Sequence, residues 1–144
     1  MSTDENKMLV RRLVQEVQNE GRIDVLEEVL APDFVNHSAP PGVPPTREGV
    51  KQVHRMFRSA FPDLQVTIHD QIAEGDTVVT RKTYHGTQLG AFMGLPPSGK
   101  QMTVEVIDIF RIADMKITEH WVVGDELGML QQLGALPAPG QATS

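Results

Sequence analysis

The sequence predicts an α+β domain, with helices in the first half and antiparallel strands in the second. Up to about residue 60 the apolar residues recur at helical spacing. From Leu64 onward they alternate with polar residues, as in half-buried strands. No internal repeat or linker divides the 144 residues. That length suits one domain that buries roughly two-thirds of its unfolded surface.

Val10, Leu13, Val14 and Val17 follow the i, i+3, i+4, i+7 spacing of one helix face. Ser2 and Glu5 fit a capping box at its start, and Gly21 fits its end. A short second helix has Asp24 and Glu27 as candidate caps, an apolar face of Leu26, Val29 and Leu30, and a stop at Pro32. Phe34 to His37 reads as extended. The proline-rich run 38–46 must be a loop. A third helix is expected from Arg47 to Ala60, with Val50, Val53 and Phe57 inward. Strands are expected at 64–72, 77–89, 101–112 and 116–124. Gly90 to Lys100 is a long loop, and Asp114-Met115 a tight turn. Leu127, Leu130, Gln131 and Leu133 suggest a closing helix, and the tail 137–144 reads as flexible.

Composition narrows the chemistry. There is no cysteine, so there is no disulfide framework, thiolate nucleophile or zinc–thiolate site. The net charge of −6 and the lack of a Lys/Arg run argue against nucleic acid. No apolar run approaches the ~20 residues that span a membrane. The acidic, polar N-terminus does not read as a secretory signal, so the expected compartment is the cytoplasm. No histidines stand at a metal-ligand interval, so no metal is expected.

Several motifs go beyond composition. They are Phe34-Val35-Asn36-His37, Phe61-Pro62-Asp63-Leu64, Gly86-Thr87, and the loop with Gly90, Phe92 and Gly94 to Lys100. The most telling is Glu119-His120-Trp121-Val122-Val123-Gly124-Asp125, followed by Leu127-Gly128 and Gln132-Leu133-Gly134. Together, over about residues 5–136, they resemble the SnoaL-like polyketide cyclases, or ester cyclases, of the nuclear-transport-factor-2-like superfamily. The resemblance implies a cone-shaped domain of residues 1–136 in which a strongly curved antiparallel sheet is packed by the N-terminal helices around an apolar pocket. It also implies ring closure of a small hydrophobic polyketide ester by intramolecular aldol condensation, with no cofactor. An aspartate at the end of the last strand serves such cyclases as acid/base, and the matching residue is Asp125. A histidine on the first extended segment matches His37. A second pocket histidine of such cyclases belongs on the strand ending near Arg111, where this chain has none.

A two-residue turn at Asp114-Met115 pairs Ala113 with Lys116. Continued without interruption, it sets Phe110 opposite Glu119 and Asp108 opposite Trp121. One face then carries Phe110, Asp108, Glu119, Trp121, Val123 and Asp125, and this is the expected pocket face. The other carries Ile107, Ile109 and Val122 with Glu105, Arg111, Thr118 and His120. It is too apolar for water, so a homodimer is expected there.

Candidate catalytic residues are therefore Asp125 and His37. Candidate substrate-binding residues are Asn36, Trp121, Glu119 and Asp108, with Phe92 and Met93 as a lid. Each has a plainer reading. Asp125 before Leu127-Gly128 is a good N-cap, and Asp108, a carboxylate in an apolar stripe, calls for a partner such as Arg81. The leading functional reading is a cofactor-independent acid/base enzyme. A hydrolase using a carboxylate-held water and a non-catalytic binder of apolar metabolites are the rivals.

Overall fold

The structure, a computed structural model, describes residues 2–137. Helix α1 spans Thr3–Arg12 and opens on the expected capping box. Ser2 Oγ accepts from Glu5 N at 3.1 Å, and the Glu5 carboxylate accepts from Ser2 N at 3.2 Å. The helix does not continue unchanged to Gly21. From Leu13 to Asn19 it widens into a π-helical stretch, which closes with Glu20 N donating to Gln15 O. Five residues make about 1.4 α-helical turns, so Leu13 and Gln18 would face apart on an α-helix. The wider turn brings both inward. Arg58 Nη1 donates to the Gln18 carbonyl at 2.9 Å and so satisfies an acceptor the stretch leaves open.

A turn of 3₁₀ helix (Ile23–Val25) leads into α2 (Leu26–Val29), and strand β1 follows at Leu30–Asn36. Extended chain thus begins at Leu30, earlier than Phe34, and Pro32 lies inside the strand and does not merely stop the helix. Proline is tolerated because β1 is an edge strand. Helix α3 (Arg47–Ala60) is capped by Thr46. Strands β2 (Gln65–Glu74), β3 (Thr77–Thr87), β4 (Gln101–Ala113) and β5 (Lys116–Gly124) form an antiparallel meander, and α4 (Glu126–Gln132) closes the chain. The sheet is five-stranded, curved and unclosed, in the order β1-β5-β4-β3-β2. It is not wholly antiparallel, because β1 runs parallel to β5. No helix among the described residues is long and apolar enough to cross a membrane. Apart from Pro137, the tail expected to be flexible lies outside the described residues.

Strand β4 alternates without a break. Met102, Val104, Val106, Asp108, Phe110 and Ile112 face in, and the residues between them face out. Strand β5 starts as expected, with Ala113 opposite Lys116 and Ile112 opposite Ile117. Thr118 is then inserted as a bulge, and the register slips by one: Arg111 meets Glu119, Phe110 meets His120, and Asp108 meets Val122. Because side chains alternate with period two, this single residue exchanges the faces of β5. His120 and Val122 turn inward, and Glu119, Trp121 and Val123 turn outward. The expectation that Trp121 and Glu119 share the inner face with Asp108 is corrected on that ground.

The hairpin is closed by the tight two-residue turn expected, and both of its residues lie in the left-handed region. Asp114 has φ 51° and Met115 has φ 62°, the left-handed pair a type I′ turn demands. A side chain there costs on the order of 1 kcal/mol. Met115→Gly should therefore raise stability by a few tenths to about 1 kcal/mol, less the packing lost with the methionine and glycine's greater unfolded entropy. Urea unfolding of the two proteins measures the difference, and an unchanged or lower midpoint would show that the methionine's contacts outweigh the strain.

Candidate active site

A cavity of about 240 Å³ lies between the inner face of the sheet, α3, β1 and the π-helical stretch. Its apolar walls include Leu13, Leu30, Phe34, Val50, Phe57 and Val122. Gln18, Asn36, Ser38, His54, Tyr84, Asp108 and His120 bring polar atoms to it. Apolar walls with a few placed polar groups are the usual make-up of a small-molecule site.

Asp108 is at the root of the polar set. It is 1 % exposed, and its Oδ2 pairs with the ammonium of Lys82, equally buried on β3. Burial alone would push the Asp108 carboxyl up, but Lys82 and a hydrogen bond from His120 outweigh burial and hold it below its ordinary value. Burial likewise opposes the charge on Lys82, and Asp108 overcomes it, so the amine's pKa is raised. Both therefore stay ionised at neutral pH.

An ionised carboxylate only accepts, so the 3.2 Å contact between Asp108 Oδ1 and His120 Nε2 fixes Nε2 as the donor. His120 Nδ1 accepts no hydrogen bond from the described residues. The ring is stacked on Phe110 with centroids 4.5 Å apart. His54 is held differently. Its Nδ1 donates to Val50 O at 2.9 Å, which leaves Nε2 as an acceptor. Burial drives its pKa down to about 4 against the opposing Val50 hydrogen bond, so His54 is neutral at pH 7.

The residues expected from sequence are divided by the fold. Asp108 and Asn36 line the cavity. His37 and Asp125 are not among its lining residues, and the structure does not bring them together there. His37 follows β1 on the outer side, where Nε2 contacts Glu119 at 3.0 Å and the ring stacks on Trp121 at 4.5 Å. Asp125 caps α4, its carboxylate accepting from Gly128 N at 2.9 Å. Glu119 and Trp121 belong to this outer cluster with Arg111. Phe92 is buried in the core against Phe57 and Phe61, and Met93 is exposed. Neither lies over the cavity as a lid.

The partner of Asp108 is Lys82, not Arg81. Arg81 is one residue along β3, faces outward and pairs with Asp70. Lys82 shares the parity of Val78 and Thr80, so strand alternation alone would have placed it inside. His120 gave no such signal, because a bulge at an ordinary threonine leaves no mark in the pattern.

Helices packed on one face of a curved sheet, closing over an apolar cavity with a buried acid–base pair, define a small α+β domain of the nuclear-transport-factor-2-like class. The chain belongs to the SnoaL-like polyketide cyclase family, whose model matches residues 8–133. It is 29% identical over 118 residues to the nogalonic acid methyl ester cyclase of Streptomyces nogalater, covering 81% of this chain and 88% of that one. It is 30% identical over 131 residues to the aklanonic acid methyl ester cyclase DauD of Streptomyces sp. strain C5, covering 88% and 80%. Among solved structures it is similar to TsrD from Streptomyces laurentii, with a TM-score of 0.86 and 34% identity over 94% of this chain and 99% of that one. IdmH from Streptomyces antibioticus matches with a TM-score of 0.78 and 36% identity, over 90% and 98%.

The depressed pKa of His54 has a consequence for stability. The unfolded chain binds a proton here near pH 6.5, and the folded chain only near 4. Stability from this group is therefore present above about pH 6.5 and declines as the pH falls toward about 4. His54→Gln should flatten that slope in urea midpoints measured across this window. An unchanged slope would show that the ring protonates without penalty.

Proposed function

We propose that this protein is a cofactor-independent acid/base enzyme that closes a ring by intramolecular aldol addition, or carries out a related isomerisation, on a small hydrophobic carbonyl compound. The observation that carries the reading is the His120–Asp108 pair at the cavity wall, with Nε2 committed to the carboxylate at 3.2 Å. The proton-accepting nitrogen is then Nδ1, and the carboxylate behind the ring stabilises the imidazolium once it forms. Nδ1 takes a proton from the carbon beside a carbonyl. Asn36 and Ser38 stand ready for the oxygen of the resulting enolate. Asn36 Oδ1 already accepts from Ser38 N, which leaves its Nδ2 protons free, and Ser38 Oγ accepts from Val122 N, which sends its proton elsewhere. The apolar walls fold a flexible chain onto itself, so that positioning supplies part of the rate. The curated relatives, cyclases of nogalonic and aklanonic acid methyl esters, support this chemistry and suggest those two esters as first substrates to test.

Turnover of either ester should yield a product of unchanged mass and altered chromatographic retention. His120→Gln should lower kcat by about 10²–10⁴-fold, the range for a positioned general base, while Asp125→Asn should affect only thermal stability. The opposite result, with Asp125 essential and His120 dispensable, would move the base to the helix cap. Co-purification of an unaltered apolar metabolite with no turnover would favour a binder, and release of a hydrolysed acid a hydrolase.

We also propose a homodimer formed through the outer face of the sheet, its membership revised by the bulge. Ile107, Ile109 and Val123 are 47%, 37% and 76% exposed there, beside Trp121, and Val122 is on the other side of the sheet. Ile109→Glu should convert the dimer to a monomer by sedimentation without loss of helix and strand signal. A wild-type protein that sediments as a monomer at tens of micromolar would remove the proposal.

A further inference from the structure

The hydrogen-bond directions around Lys82 determine where the proton of Tyr84 must go. An ammonium only donates, so Lys82 Nζ donates to Gln18 Oε1 at 3.3 Å. This fixes the amide, and Gln18 Nε2 donates to Tyr84 Oη at 3.0 Å. The phenol oxygen is thereby an acceptor on its buried side. Its own hydrogen has no acceptor among the described residues, and Tyr84 lines the cavity. The cationic Lys82 also lies 5.3 Å from the ring centroid. Burial raises the phenol pKa, so the proton stays on the oxygen at neutral pH.

From this geometry we infer that Tyr84 is a further catalytic residue, a hydrogen-bond donor to a second substrate oxygen, and that Gln18 is the positioning residue that aims it. The inference rests on the cavity's being the reaction site. An aldol closure involves two oxygens, and Asn36 and Ser38 serve only the enolate. His120 Nδ1 removes the proton from carbon, and that carbon's electron pair forms the new C–C bond to the second carbonyl. The π pair of that carbonyl moves onto its oxygen, where Tyr84 O–H meets the charge. The proton held by His120 then passes to this oxygen, so no other reactant is consumed. Asp108 thus stands behind both ends of the reaction. Through His120 it supports a base, and through Lys82 and Gln18 a donor.

The test needs no substrate. 4-Nitrophenolate at mildly alkaline pH presents an oxyanion on a small flat ring, and 4-nitroanisole has nearly the same shape without the charge. Wild-type protein should bind the phenolate in preference to the ether, and Tyr84→Phe should lower phenolate affinity about tenfold, as loss of one charge-assisted hydrogen bond does, while leaving the ether unchanged. Tyr84 is also the only tyrosine in the chain, so protein labelled with ¹³Cζ-tyrosine gives a single signal. That signal should move on adding the phenolate and not the ether, a readout that does not depend on the variant's folding. Equal wild-type affinity for the two compounds, an unmoved ¹³C signal, or an undiminished preference in Tyr84→Phe overturns the inference. None of these readouts involves turnover, so their failure bears on the cavity's oxygen donors, with the ¹³C signal and the Tyr84→Phe comparison bearing on Tyr84 itself, and failure to cyclise an ester bears on the reaction proposed above.

Discussion

The ion pair between Asp108 and Lys82, on neighbouring strands inside the sheet, is the contact on which the rest of the site depends. Both side chains are 1% exposed. Desolvating each ion costs several kcal/mol, and removing one partner typically destabilises by about 3–5 kcal/mol, because the other is left buried and unpaired. Such a pair contributes little net stability compared with a well-packed apolar pair of the same volume. What it does here is fix protonation states. With Lys82 charged, Asp108 remains an acceptor, His120 must point Nε2–H at it, and Gln18 must point its amide protons at Tyr84. Hydroxyl and amide orientations that would otherwise be free are set by one unambiguous cation.

Two departures from regular backbone bring these groups to the cavity. The π-helical stretch turns Gln18 toward Leu13 and the sheet, and Arg58 supports it through the Gln18 carbonyl. The Thr118 bulge turns His120 inward to Asp108. Each adds one residue's worth of rotation to an element that is regular elsewhere. Irregular turns of this kind are often found at functional sites. The same bulge assembles the outer cluster: Trp121 lies against His37 and Arg111, and Glu119 bridges His37 and Arg111. The family's motif residues Glu119, His120 and Trp121 are thus divided between the two faces of the sheet.

The cavity also bears on the lack of a histidine on the strand ending near Arg111. On that strand the inward position next to Phe110 is Asp108, and the imidazole comes from the neighbouring strand as His120. A histidine and an acid are therefore present together, but on different strands from those the resemblance implies. The inner face of β5 beside His120 is occupied by Val122, and the carboxylate that β4 brings to the cavity is the one already paired with Lys82, while Glu126 of α4 brings a second.

The sequence by itself determined the order of helices and strands, the capping box at Ser2 and the tight turn at Asp114-Met115, and its motifs carried the resemblance to the family. The elements, the cap and the turn rest on short-range chemistry, namely side-chain periodicity, local hydrogen bonds and the steric demands of a tight turn, and the family rests on the resemblance of the motifs. It also put Asp108 on the inner face, because an unbroken alternation runs the length of β4. Only the tertiary structure decided which face of β5 met it, that Lys82 and not Arg81 answered the carboxylate, that β1 joined the sheet parallel to β5, and that His37 and Asp125 stood apart from the cavity. These depend on a one-residue bulge and on pairings between strands distant in sequence. Alternation of period two carries no memory across an inserted residue, so local pattern could not have transmitted the register from the turn to His120.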